Sequence, residues 1–125
     1  MTVKLYHNPR CSKSRQTLAM LTESGVETDV VLYLDTPPSA DELEQLLEQL
    51  KLQPMQLMRQ GESVYNELGL GDREMSRAEA IAVMIEHPQL IQRPIMVFQG
   101  AAVLGRPPAN VQPLLDQAVR LQAKE

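Results

Sequence analysis

Cysteine occurs once in the 125 residues, at position 11, and one thiol cannot close an internal disulfide. Histidine occurs twice, at His7 and His87, too sparsely for the spacing of a metal site, so no metal is expected. No apolar run reaches membrane-spanning length. The N-terminus lacks the charged start, long apolar stretch and small-residue cleavage site of a secretory signal. A cationic excess is missing too: 12 Lys and Arg stand against 16 Asp and Glu, a formal net charge of -4, which argues against general nucleic-acid binding through a basic surface. Together these absences predict a soluble, mildly acidic protein of the cytoplasm, where thiols stay reduced, with neither membrane nor nucleic acid as a partner. Length bounds the rest, because 125 residues suffice for one domain with a proper core and not for two ordinary ones. A single domain, 1–125, is expected.

What is present begins with a short apolar run, Val3 to Tyr6, which ends at His-Asn-Pro and reads as a strand. Ser12 to Ser24 follows with Leu18, Met20 and Leu21 at helical spacing and Gly25 just past its end, where a left-handed cap is needed. Thr28 to Leu34 is β-branched and short, and predicts a second strand. Strand, helix and strand in succession form a βαβ unit with parallel strands. Pro37 and Pro38 then open a helical insertion, about 37–91. Ser39 with Glu42, and Ser76 with Glu79, have the spacing of capping boxes. Within the insertion, helical pieces are predicted from Ser39, from Pro54 to Met58, from Ser63 to Leu68 and from Ser76 to Glu86. Two apolar runs around Gln99-Gly100 predict a β-hairpin after Pro94, and Pro108 to Ala123 predicts a closing helix with Val111, Leu114, Leu115, Ala118 and Val119 on its apolar side. Pro113 lies within the first turns of that helix and would delay its start. The order βαβ, helical insertion, ββα is that of an α/β, thioredoxin-like domain: a mixed four-stranded sheet flanked by helices.

Cys11 lies in the polar loop between the first strand and the first helix. A thiolate is the reactive form, and a helix N-terminus favours it through the helix dipole and free backbone amides, with Arg10, Lys13 and Arg15 adding positive charge nearby. Free cysteines are often small core residues, but Asn8-Pro9-Arg10 and Ser12-Lys13-Ser14 make this setting too polar for that. Cys11 and Arg15 enclose three residues where a low-molecular-weight phosphatase loop needs five, which excludes that loop. Ser14 stands where a dithiol oxidoreductase would carry its second cysteine, so an oxidised Cys11 must be resolved by a thiol from outside, with glutathione the abundant candidate. His7 either favours the thiolate or satisfies the loop backbone.

Several separated motifs agree in order with one family: H-N-P-x-C-x-x-S-R from His7 to Arg15, Y-L-D-T-P-P from Tyr33, L-M-R from Leu57, N-E-L-G-L from Asn66, I-Q-R-P-I from Ile91 and G-R-P-P from Gly105. On these residues the chain resembles the glutaredoxin-dependent arsenate reductase family over nearly its whole length. The resemblance implies a thioredoxin-like fold with a helical insertion, Cys11 as nucleophile, and Arg59, Arg93 and Arg106 as anion-binding arginines. It assigns to Pro94 the cis-proline that faces the cysteine in such folds. Planar guanidinium groups suit a tetrahedral oxyanion because they donate paired hydrogen bonds and stay charged. His7, Ser14 and Arg15 are the expected supporting residues, Arg15 either as a second charge at the helix start or as a surface residue, and Ser14 with the amides after Cys11 as hydrogen-bonding groups for the adduct.

The implied mechanism has Cys11 attack arsenate at arsenic; glutathione then displaces oxygen, glutaredoxin supplies the reducing equivalents, and arsenite leaves. Arsenate, glutathione and glutaredoxin are thus the expected partners of a monomer with no bound cofactor and with glutathione as co-substrate. Members best known as arsenate reductases tend to carry Gly-Thr after the cysteine, where this chain has Ser12-Lys13. Two other readings compete: a monothiol oxidoreductase of glutathione mixed disulfides, and a non-enzymatic, redox-responsive adaptor of RNA polymerase. Such sensors often use C-x-x-C, which Ser14 removes.

Overall fold

A computed structural model describes all residues, Met1–Glu125. The chain forms two compact units, one built from Met1–Thr36 with Arg93–Glu125 and the other from Pro37–Gln92.

The first unit holds the sheet. β1 (Val3–Tyr6) is followed by α1 (Ser12–Ser24) and β2 (Thr28–Val31), with β3 (Ile95–Phe98) and β4 (Ala101–Leu104) later in the chain. The strand order is β2-β1-β3-β4. β1 and β2 run parallel, joined through α1, while β3 is antiparallel to both β1 and β4. The β3–β4 turn works because Gln99 and Gly100 both adopt positive φ, 49° and 79°, the left-handed pair that a two-residue hairpin needs to match strand twist. α1 stops at Gly25, whose φ of 78° lets its amide bond back to the carbonyl of Thr22.

The unit's core is one face of the sheet with two helices on it. Val3 and Leu5 of β1 and Met96 and Phe98 of β3 pack with Leu21 of α1 and with Leu115 of the last helix, α6 (Gln112–Gln122). Alternate strand residues share a face, which is why positions 3 and 5 and positions 96 and 98 meet there. Pro113 falls in the first turn of α6, where its missing N–H costs nothing, and the residues from Pro108 to Val111 form a short 3-10 turn instead. Two expectations are corrected here. The second strand ends at Val31 rather than Leu34, because the Leu32 carbonyl accepts the amides of Asp35 and Thr36 and turns the chain. Val119, expected on the apolar side of the closing helix, is exposed; Val111, Leu115 and Ala118 are the buried members.

The second unit is helical: α2 (Ala40–Leu50), α3 (Pro54–Leu57), α4 (Ser63–Glu67) and α5 (Arg77–Glu86). Both capping boxes form. Ser39 accepts the Glu42 amide and Ser76 the Glu79 amide, while each glutamate reaches back to the cap's own amide. Leu43, Leu46 and Leu47 of α2 are buried, as are Ala80, Ile81 and Met84 of α5. Met58 and Ile91 form an antiparallel bridge near the unit's end. With its mixed four-stranded sheet flanked by helices, the chain has the α/β, thioredoxin-like fold.

Candidate active site

Cys11 is the N-cap residue of α1, with extended backbone (φ -94°, ψ 123°). At an N-cap, an acceptor side chain usually takes up the free amides of the first turn. Here a sulfur stands in that place and closes no side-chain cap bond, yet the nearby backbone amides of Ser14 and Lys13 favour its ionised form. Burial of the thiol opposes ionisation. It is outweighed by the Ser14 amide, a hydrogen bond from the Arg93 side chain, the Lys13 amide and the charge of Arg93, so the thiol is held below its ordinary value. Lys13 contributes through its main chain, which any residue at that position would supply.

The loop that presents the sulfur is locked from beneath. Asn8 is buried and closes a turn: its carbonyl accepts the Cys11 amide at 3.0 Å, and its side-chain oxygen accepts the Arg10 amide at 3.0 Å. The fully buried Ser14 hydroxyl accepts the Asn8 amide at 3.1 Å and lies 2.6 Å from His7 Nδ1. A protonated Nδ1 would leave the hydroxyl hydrogen stranded in a buried site, whereas a bare Nδ1 accepts it. Burial and the charge of Arg15 both lower the His7 pKa, which keeps the ring neutral in agreement with that pairing. His7 therefore ties strand to helix through Ser14. The Ser14 hydroxyl is thus engaged by His7 and the Asn8 amide, while its own amide favours the thiolate. Arg15 donates to the Pro9 carbonyl at 2.9 Å, which spans the loop.

Arginines reach the sulfur from the other side of the chain. The Arg93–Pro94 peptide is cis, as is Arg106–Pro107. Arg93 hydrogen-bonds the thiol, and Arg106 Nη1 lies 3.8 Å from Cys11 Sγ and 3.3 Å from the Arg93 carbonyl. Gly105 explains how the end of β4 comes so close. A Cβ there would stand 2.7 Å from Pro94 Cγ and 2.7 Å from Thr17 Oγ1, and the Gly105 amide donates to the Pro94 carbonyl. Only a residue without a side chain fits between the cis-proline and α1. Arg59 belongs to the other unit, where its amide bonds the Leu90 carbonyl at 2.6 Å and its Nε pairs with Glu62 at 3.1 Å.

Sequence reasoning passed over Asn8, Thr17 and Gly105. Asn before Pro is a turn signal that could have found Asn8. Gly105 opens the G-R-P-P motif but nothing local gives its role, and nothing local marks Thr17; both roles exist only once the end of β4 meets α1.

A lone thiol at the first turn of the first helix, met by an arginine from the cis-proline loop, defines a thioredoxin-like thiol protein. The chain belongs to the ArsC family, whose model matches residues 6–114. It is 52% identical over 110 residues to the uncharacterized protein YfgD of Escherichia coli (strain K12), covering 87% of this chain and 92% of that one. It is 40% identical over 114 residues to an arsenate reductase of Neisseria meningitidis serogroup A, covering 90% of this chain and 97% of that protein. The solved structure of an arsenate reductase from Vibrio cholerae matches with a TM-score of 0.86 at 49% identity, over 90% of this chain and 97% of that chain.

Proposed function

We propose that the chain reduces arsenate to arsenite with Cys11 as nucleophile and with glutathione and glutaredoxin as the source of electrons. The observation that carries this is the convergence on one sulfur of two helix amides, Arg93 and Arg106, in a chain with no second cysteine. Arsenate is a tetrahedral oxyanion, so the groups that hold the thiolate also fit the oxygens of its adduct. The arsenate reductase names of relatives at about 40% identity over most of their length support the same substrate.

The Cys11 thiolate attacks arsenic and one oxygen leaves as water, giving a Cys11–S–As(V) adduct. The glutathione thiolate displaces a second oxygen, also as water. A glutaredoxin thiolate then attacks the glutathione sulfur, forming a mixed disulfide, and the As–S bonding pair stays on arsenic, which passes from As(V) to As(III). Water cleaves the remaining S–As bond, arsenite departs and Cys11 returns to thiolate. Two electrons reach arsenic, and two thiol sulfurs give them up as a disulfide. Arg93 and Arg106 hold the oxyanion; the family pattern alone adds Arg59.

A coupled assay with glutathione, glutaredoxin, glutathione reductase and NADPH tests this. Arsenate-dependent NADPH oxidation is expected, with Cys11→Ser abolishing it and Arg59→Ala, Arg93→Ala and Arg106→Ala raising KM for arsenate. Full turnover by Cys11→Ser, or none by the intact chain, would sink the reading. Reduction of glutathione mixed disulfides without any response to arsenate would instead favour a monothiol oxidoreductase.

A further inference from the structure

A cavity of about 320 Å³ lies on the side of the catalytic loop that faces β2, lined by His7, Asn8, Pro9, Arg10, Leu32, Leu34 and Asp35. All of these residues belong to the sheet-bearing unit. Its wall is the same turn that carries the nucleophile, because the Cys11 amide bonds the Asn8 carbonyl. Neither Arg93 nor Arg106 lines it, so the cavity is separate from the arginines that meet the sulfur.

Its chemistry is mixed in a particular way. Arg10 and Asp35 are exposed and make no ion pair within the chain, so a fixed cation and a fixed anion share one cavity. The lining also carries Leu32 at 42% exposure and Leu34 at 37%, together with the buried His7 and Asn8. Two of the few large apolar side chains left in water by this chain therefore share a cavity with the turn that leads into its lone thiol. The turn at Leu32 to Asp35 is what places them: by ending β2 early it brings Leu32, Leu34 and Asp35 to the Pro9-Arg10 side.

We infer that this cavity is the binding site of the thiol co-substrate, a small zwitterionic peptide thiol such as glutathione, with Asp35 taking its ammonium group, Arg10 a carboxylate, and Leu32 and Leu34 its chain. The inference rests on the reading that an external thiol completes the chemistry at Cys11. A cation, an anion and two exposed leucines match such a peptide better than a bare oxyanion or a neutral sugar, neither of which would use Asp35. The volume reaches the lower end of the range for small-molecule sites, roughly 300–1,000 Å³, which is the scale of a tripeptide. Arg93 and Arg106 thereby hold arsenate while Arg10 and Asp35 hold the thiol peptide.

The test uses the full-length chain and S-methylglutathione, which cannot form a disulfide or reach arsenic. In ¹H–¹⁵N correlation spectra, saturable shifts are expected at Arg10 and at Leu32 to Asp35. Arg10→Glu and Asp35→Lys should each weaken binding at least fivefold, and the diethyl ester of the same peptide should bind wild type at least fivefold more weakly. Both substitutions are at exposed positions, and the same spectra show whether each variant is folded. Shifts confined to residues elsewhere, or affinities within twofold of wild type in both variants, would overturn the assignment. Binding at this cavity by a protein that ignores arsenate would remove the proposed reaction and leave the site standing, while arsenate turnover with no binding here would do the reverse.

Discussion

Arg93 and two backbone amides act on one sulfur, but only the arginine can be removed by substitution. Opposite charge and hydrogen bonding both favour the thiolate. In Arg93→Gln the burial that opposes ionisation remains while one of the groups that offset it is gone. The midpoint of iodoacetamide alkylation against pH should then rise. Arg106, at 3.8 Å from the sulfur, makes a longer contact, so Arg106→Gln should move the midpoint less. An unchanged midpoint in Arg93→Gln would assign the depression to the helix amides alone. The distinction bears on substrate binding, because an arginine that releases the sulfur on adduct formation is free to follow the oxygens.

At the scale of elements, the residue that follows β4 makes a tight join in the sheet-bearing unit. Gly105→Ala puts a methyl group 2.7 Å from both Pro94 Cγ and Thr17 Oγ1. Overpacking of this kind costs about 1–3 kcal/mol, and here it also pushes on the loop that carries Arg93. A lower urea midpoint and slower arsenate turnover are expected. Thr17→Ala removes one of the two clashing atoms, so the double variant should recover part of the lost stability; strict additivity would show that the clash is not with Thr17. The other unit offers a cleaner case at α2. Ser39 caps the helix by accepting the Glu42 amide at 3.1 Å, and Ser39→Ala should cost about 1 kcal/mol, read from urea denaturation. These two joins mark what the sequence could and could not reveal. Caps, the Gln99-Gly100 turn and the start of α1 at Ser12 depend on neighbours in the chain, and were legible there. The placement of Cys11 on a helix start was legible for the same reason. The turn that shortens β2, the Ser14 hydroxyl turned inward to His7 and the close approach at Gly105 depend on partners from elsewhere in the fold, which periodicity does not report.

Across the whole molecule, the buried polar residues are His7, Asn8, Ser14 and Thr17, all in or under the Cys11 loop. The core is otherwise apolar, so the response of the folded state to acid should be felt first where this cluster contains a titrating ring. Burial, helped by Arg15, holds His7 below its ordinary value of 6.5. Between that folded value and 6.5, the unfolded chain binds a proton that the folded chain refuses. Stability from this group is therefore complete above pH 6.5 and is lost as pH falls through the folded value. The urea midpoint of the wild type should drop as pH is lowered from 7, ahead of the carboxylates, whose ordinary values lie near 4. His7→Asn keeps a polar partner for Ser14 without the titration, and its midpoint should stay flat over that upper range. The imidazole can also be followed directly: its Cε1 proton shift in the intact chain should titrate with a midpoint below 6.5. A midpoint at or above 6.5 would mean that Ser14 accepts from a protonated ring, and the neutral lock beneath the nucleophile would have to be abandoned.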